Sequence, residues 1–214
     1  MQNQGAAPVG CGFEAPGATD RLRPVMRVVS YPEADLPEAL RLQQAALQDQ
    51  AWPSGPTTPP GLRHDPALHP VSLLLVDDGG RVLSALDILS KRITHLTRDY
   101  AASALSAVVT HPGHRGRGYG SRLVAAARDL MAGRGADLGI FTCDRSLQHF
   151  YEGAGWQHLV GTVLVGGTPE DPFPSDQFDK VALGGFFSAR ARAAASDFVG
   201  ARVGLYSGEI DRLW

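Results

Sequence analysis

The feature that most constrains this chain lies between residues 101 and 135. There a strand-like run, AASALSAVVT, passes through HPGHRGRGYG directly into SRLVAAARDLMAGRG. The last segment places Leu123, Ala127, Leu130 and Met131 on one helical face, and Gly133 and Gly135 stop it. Within residues 108–124 stand four glycines and three arginines. A helix that opens straight out of a glycine-rich loop presents unpaired N–H groups and the positive end of its dipole. Glycines at 116, 118 and 120 let the backbone approach an anion closely, and Arg115 and Arg117 add fixed positive charge. The strand before the loop needs a sheet to join, so the junction predicts an α/β fold that holds a phosphate.

Spacing decides which phosphate. A P-loop requires Lys and then Ser or Thr after its second glycine, but Gly113-xxxx-Gly118 is followed by Tyr119. The dinucleotide fingerprint starting at Gly116 and Gly118 requires glycine where Ser121 stands. Neither fits.

The surrounding order is that of a mixed sheet rather than of alternating doubly wound units. VMRVVSY (25–31) reads as a strand. Asp35 with Glu38 makes a capping-box pattern with Pro37 in the first turn, and Leu36, Leu40 and Leu47 predict a helix to about residue 50. Residues 52–70 carry six prolines and two glycines, which suits a connector or a substrate lid. VSLLLV (71–76) and RVLSALDIL (81–89), joined through Asp78-Gly79-Gly80, read as a hairpin. LGIFTC (138–143) is a predicted strand, SLQHFYEG (146–153) a short helix, GWQHLVGTVLVG (155–166) one further strand, and DKVALGGFF (179–187) the last. Residues 1–24, rich in Gly, Ala and Pro, read as a flexible tail, and 188–214 form an extension whose structure the pattern leaves open.

Composition removes several classes. A net charge of −2 over 214 residues gives no bulk attraction to nucleic acid or anionic membrane. Two cysteines, Cys11 and Cys143, are too few for a disulfide framework. No apolar run reaches the roughly 20 residues of a membrane span, and the N-terminus has no secretory pattern, so the expected location is the cytoplasm. His111, His114, Cys143 and His149 give no convincing ligand spacing, so no metal is expected. Without a Gly-x-Ser-x-Gly elbow a serine hydrolase has no support.

A third phosphate pattern, Arg/Gln-x-x-Gly-x-Gly/Ala, is matched without a mismatch by Arg115-Gly116-Arg117-Gly118-Tyr119-Gly120. The stretch resembles the pyrophosphate loop of the GNAT acetyltransferase superfamily. About 30 residues on, FYEGAGW (150–156) is similar to that family's second signature, a helix bearing Phe-Tyr before a Gly-Phe/Trp turn. The likeness spans about residues 25–187. It implies a mixed, mostly antiparallel central sheet flanked by helices and splayed where acetyl-CoA, the cosubstrate, enters. Backbone groups of Val108 and Thr110 would then bond the pantetheine arm, Arg115 through Gly120 would cradle pyrophosphate, and Ser121 would touch a phosphate. Tyr151 would be the general acid for the leaving thiolate, and a backbone N–H at Val108 would face the oxyanion.

A looser likeness, in the Pro/Asp-rich loop 167–179 and the acidic chain end, is to aminoglycoside 2′-N-acetyltransferases. It implies a small cationic amine as acceptor, with Asp176, Asp179, Asp211 and Trp214 near it. Asp87, Ser106 and Thr142 on the neighbouring strands are further candidates, Asp87 as the base. Ser106 stands where those enzymes carry an acid, and Asp211-Arg212-Leu213-Trp214 has an extra residue before Trp. The alternatives are a protein lysine or N-terminal acetyltransferase and a non-catalytic acyl-CoA sensor. The expected assembly is a monomer or homodimer.

Overall fold

A computed structural model describes residues 25–53 and 63–214. The expected N-terminal tail, Cys11 and the middle of the proline-rich run lie outside them. The chain forms β1 (Arg27–Pro32), α1 (Glu38–Ala51), β2 (Val71–Val76), β3 (Val82–His95) and β4 (Arg98–Thr110). There follow α2 (Tyr119–Gly133), β5 (Leu138–Asp144), α3 (Gln148–Glu152), β6 (Gln157–His158) and β7 (Val163–Gly167). The chain ends with β8 (Pro172–Pro174), β9 (Lys180–Phe186), α4 (Ala189–Ala193) and β10 (Arg202–Gly204).

Seven strands make the main sheet in the order β1-β2-β3-β4-β5-β9-β6, antiparallel at every joint but one. That exception is β4–β5, which run parallel and pair only at Ala102–Leu138 and Ser103–Gly139. Beyond those two rungs the strands part. This is the splay expected of the sheet, and it arises where a β-branched strand end feeds the glycine loop.

Every residue of β2 is buried because both faces of the sheet are covered. Alternation sorts them: Leu73 and Leu75 join the cluster that holds Leu123, Val124, Ala127 and Met131 of α2. Leu74 and Val76 join Leu36 and Leu47 on the α1 side. The periodic residues of α2 are therefore core, as expected.

Two local readings are corrected. Residues 155–166 do not form one strand. Gly161, with φ +72°, breaks the run, so β6 joins the main sheet and β7 pairs with β8 and β10 in a second, three-stranded sheet. The capping box does not form either. Glu33–Asp35 make a 3₁₀ turn, Pro37 is the N-cap of α1, and no side chain caps it.

Residues 188–214 send Ala191, Phe198, Val203, Leu205 and Trp214 into the same hydrophobic cluster as α2 and the sheet. β7 meets the chain end closely. A Cβ on Gly166 would stand 1.6 Å from the Arg212 carbonyl oxygen, so this glycine is required for the contact. Gly166→Ala should therefore cost about 3 kcal/mol, the upper end for overpacking, read as a lower urea midpoint at unchanged slope.

Candidate active site

β4 reaches the splay with a bulge. Ala85 pairs with Val109 and Asp87 with Ser106, so Ala107 and Val108 stand against a single residue of β3. Ala107 takes φ +48°, a left-handed conformation unfavourable for an alanine, and so marks a strained point in the strand. After Thr110 a 3₁₀ turn at Pro112–His114 leads to the loop. Gly116 and Gly118 take φ +73° and +76°, with nothing within 4 Å of where a Cβ would stand.

Gly118 is also the N-cap of α2, and no side chain caps that helix. The first N–H groups of a 15-residue helix are thus free for an anion. Gly120 packs tightly behind them, its Cβ position 3.0 Å from Thr110 Oγ1 and 3.2 Å from the Phe150 ring. That contact docks the start of α2 between β4 and α3.

These elements enclose a cleft of about 420 Å³. Its lining brings together Val108, Thr110, Arg115, Gly116, Gly118, Tyr119, Gly120, Ser121 and Tyr151, nearly all the residues the loop pattern selects. Arg117 is exposed on the loop and does not line it. Arg115 Nε donates to the Thr110 carbonyl at 3.2 Å, which ties the loop back to the strand end. The glycine cradle, the uncapped helix start and Arg115 together fit a pyrophosphate.

Tyr151 closes the inner end, 6% exposed and edge-on to Phe141 and Phe150. Burial, with Cys143 and Asp144 nearby, holds its phenol well above the usual tyrosine range. Burial likewise pushes the Cys143 thiol up to about 11. The hydroxyl therefore keeps its proton at neutral pH.

Six cleft residues were not among the site candidates, Ala51 and Val109 among them. Trp52 and Leu147 line the cleft while 51% and 44% exposed, and Phe150 lines it beside them. The sixth is His114, stacked on Tyr119. Partial burial and the charges of Arg117 and Arg81 lower its proton affinity. A lone exposed Trp after a helix gives no periodic signal, and that is why it escaped notice.

The acceptor candidates do not gather in this cleft. Asp176 pairs with Arg202 at 3.0 Å, Asp179 with Arg145 at 2.8 Å and Asp171 with Arg212 at 2.5 Å, each at the surface. Asp211 is bound by His64, and Trp214 is buried in the core. Thr142 is half-buried on β5 opposite Ala182. Ser106 is half-buried opposite Asp87, and Asp87 itself is fully enclosed rather than a solvated edge carboxylate. No carboxylate lines the cleft among the described residues. His111 caps the turn through Nδ1, 3.1 Å from the Gly113 N–H, and His149 pairs with Glu152.

A family model for the acetyltransferase (GNAT) domain matches residues 27–159. No curated protein matches the chain. Among solved structures, an aminoglycoside 6′-N-acetyltransferase complexed with coenzyme A aligns with a TM-score of 0.54 at 13% identity, over 76% of this chain and 98% of that one. An acyl-CoA N-acyltransferase from Pseudomonas aeruginosa gives 0.52 at 16% identity, over 75% and 99%. A protein of unknown function from Enterococcus faecalis gives 0.53 at 18%, over 66% of this chain and 33% of that one, so the present chain spans a third of its length. At such identities the likeness is one of fold. No helix among the described residues is long and apolar enough to cross a membrane.

Proposed function

Because this chain belongs to the GNAT acetyltransferase family, we propose that it moves the acetyl group of acetyl-CoA onto a primary amine of a small molecule, by direct attack in a ternary complex. The observation that carries this is the uncapped start of α2, opening from two left-handed glycines onto a cleft at the sheet's splay. The α2 N–H groups and Arg115 hold the pyrophosphate. The unpaired edge of β4 beyond Ser103 receives the extended arm between the strands. The coenzyme supplies the activated thioester. Around it, the Val108 backbone beside the bulge offers a preorganised donor to the oxyanion, and the Tyr151 hydroxyl donates to the departing sulfur.

The acceptor follows from the walls. Asp171, Asp176, Asp179 and Asp211, which favoured a polycation, are each matched by arginine or histidine, whereas the cleft shows Trp52, Leu147 and Phe150. Such walls suit an amine carried on an apolar or aromatic group better than an aminoglycoside or a basic peptide. With no carboxylate among the cleft-lining residues, the amine's proton passes to solvent through the open mouth.

Thiol release from acetyl-CoA should be measured across arylalkylamines, polyamines, aminoglycosides and basic peptides, with coenzyme binding followed by calorimetry. Turnover is expected first on the arylalkylamines. Turnover confined to aminoglycosides or peptides overturns the acceptor assignment. Coenzyme binding without turnover on any amine favours a sensor, and failure to bind coenzyme overturns the phosphate-loop argument itself.

A further inference from the structure

The titratable groups that the cleft leaves unused gather around β3. Asp87, 1% exposed in an otherwise apolar stretch, accepts from Gln44 Nε2 at 2.8 and 3.0 Å, Gln48 Nε2 at 2.8 Å and Ser72 Oγ at 2.7 Å. His64, 4% exposed, places Nε2 3.3 Å from Asp87 Oδ2 and Nδ1 2.6 Å from Asp211 Oδ1. Asp211 Oδ2 accepts the Asp65 N–H at 3.0 Å, and buried Glu33 accepts the Arg63 N–H at 2.5 Å. The charged groups facing His64 are thus Asp87 from β3, Asp211 from the chain end and Glu33 from the turn after β1.

A carboxylate at each ring nitrogen fixes the ring as an imidazolium, because each nitrogen must carry a proton to meet its partner. Burial alone would strip that proton; Asp211 and Asp87 outweigh it and raise the group to about 9. A ring already protonated at neutral pH is no base for an incoming amine. Its consequence lies one step further on. Asp87 stands at the register break of the β4 bulge, and the Gln48 amide that it holds also reaches the Ala107 carbonyl at 3.4 Å. Ala107 is the strained residue immediately before Val108.

We propose that His64 is a positioning residue for acetyl transfer: clamped between Asp87 and Asp211, it keeps Asp87 and Gln48 in the places that hold the Ala107 bulge and so aim the Val108 backbone into the cleft. The proposal rests on the acetyltransferase reading for its meaning, but its physical claim can be measured without any amine. The backbone amide of Val108 in labelled wild-type protein, followed by NMR from pH 6 to 10.5, is expected to titrate with a midpoint near 9. In His64→Gln that transition should vanish, and in Asp211→Asn, which keeps the ring, it should move to lower pH. A Val108 amide blind to this range in the folded wild type overturns the proposal, whether or not an acceptor is ever found. Where an amine is turned over, His64→Gln should lower turnover by about tenfold or more at pH 7.5, with coenzyme affinity within about twofold and the alkaline fall near pH 9 gone. A variant that merely melts earlier, with the same turnover and pH profile, also overturns it.

Discussion

Tyr151→Phe is expected to lower kcat by about 10²-fold while leaving coenzyme affinity within about twofold. The substitution removes one oxygen and keeps the ring against Phe141 and Phe150, so packing survives. The phenol is a poor acid here. An ordinary tyrosine already lies about 1.5 pK units above an ordinary thiol, and burial widens the gap. Full proton transfer ahead of bond cleavage is therefore costly, and the hydroxyl contributes by donating a hydrogen bond as charge builds on sulfur. It follows that kcat should show no ionisation belonging to Tyr151 below pH 10. Steady-state kinetics beside calorimetry decide the matter: a fall in affinity that parallels the fall in kcat would show that the hydroxyl serves binding instead.

Asp87→Ala is expected to cost about 3–5 kcal/mol of folding stability, the range for removing one partner of a buried ion pair. The loss is large because the amides of Gln44 and Gln48, the Ser72 hydroxyl and the His64 ring all converge on this carboxylate. The pH dependence has a definite sign. Burial would raise Asp87, but His64, Ser72 and Gln48 hold it below the ordinary carboxylate value. Its stabilisation is present above about pH 4 and fades as pH falls through the lower folded value. His64 is raised, so its share is complete below about pH 6.5 and is lost as pH rises through about 9. Glu33, pushed up by burial, adds to the loss on the alkaline side of its own titration. Urea unfolding from pH 3 to 10 should give a wild-type maximum between these limbs, and Asp87→Ala should flatten both.

The glycine loop was legible because glycine spacing is local: Arg115 to Gly120 need only their own backbone to make the turn into α2. The strands 71–76 and 138–143 were legible because apolar runs bounded by turns leave few alternatives. What was not legible depends on distant partners. Gln44 and Gln48 interrupt the apolar stripe of α1, and Asp87 interrupts an apolar strand. Each is a signal that something polar is buried, but only the fold shows that they meet one another and His64. The acidic residues 171, 176 and 179 suggested a receptor for cations, yet arginines from other parts of the chain reach each of them. The strand 155–166 failed at Gly161, where a single left-handed glycine moves the chain from one sheet to the other.

The two-rung joint between β4 and β5 has a consequence for how the chain folds. β2 through β4 pair across short turns, so their contacts close short loops and form early, whereas β1 reaches β2 across α1. β5 pairs with β9 some forty residues later and is paired with β4 at only two positions, after α2 has been spanned. The assembly is thus a local meander and a slower, longer-range half, sealed along a seam with little backbone cohesion of its own. On the proposed function the same seam would take the extended arm of the coenzyme, so the joint with the least backbone pairing would be the one the reaction needs open.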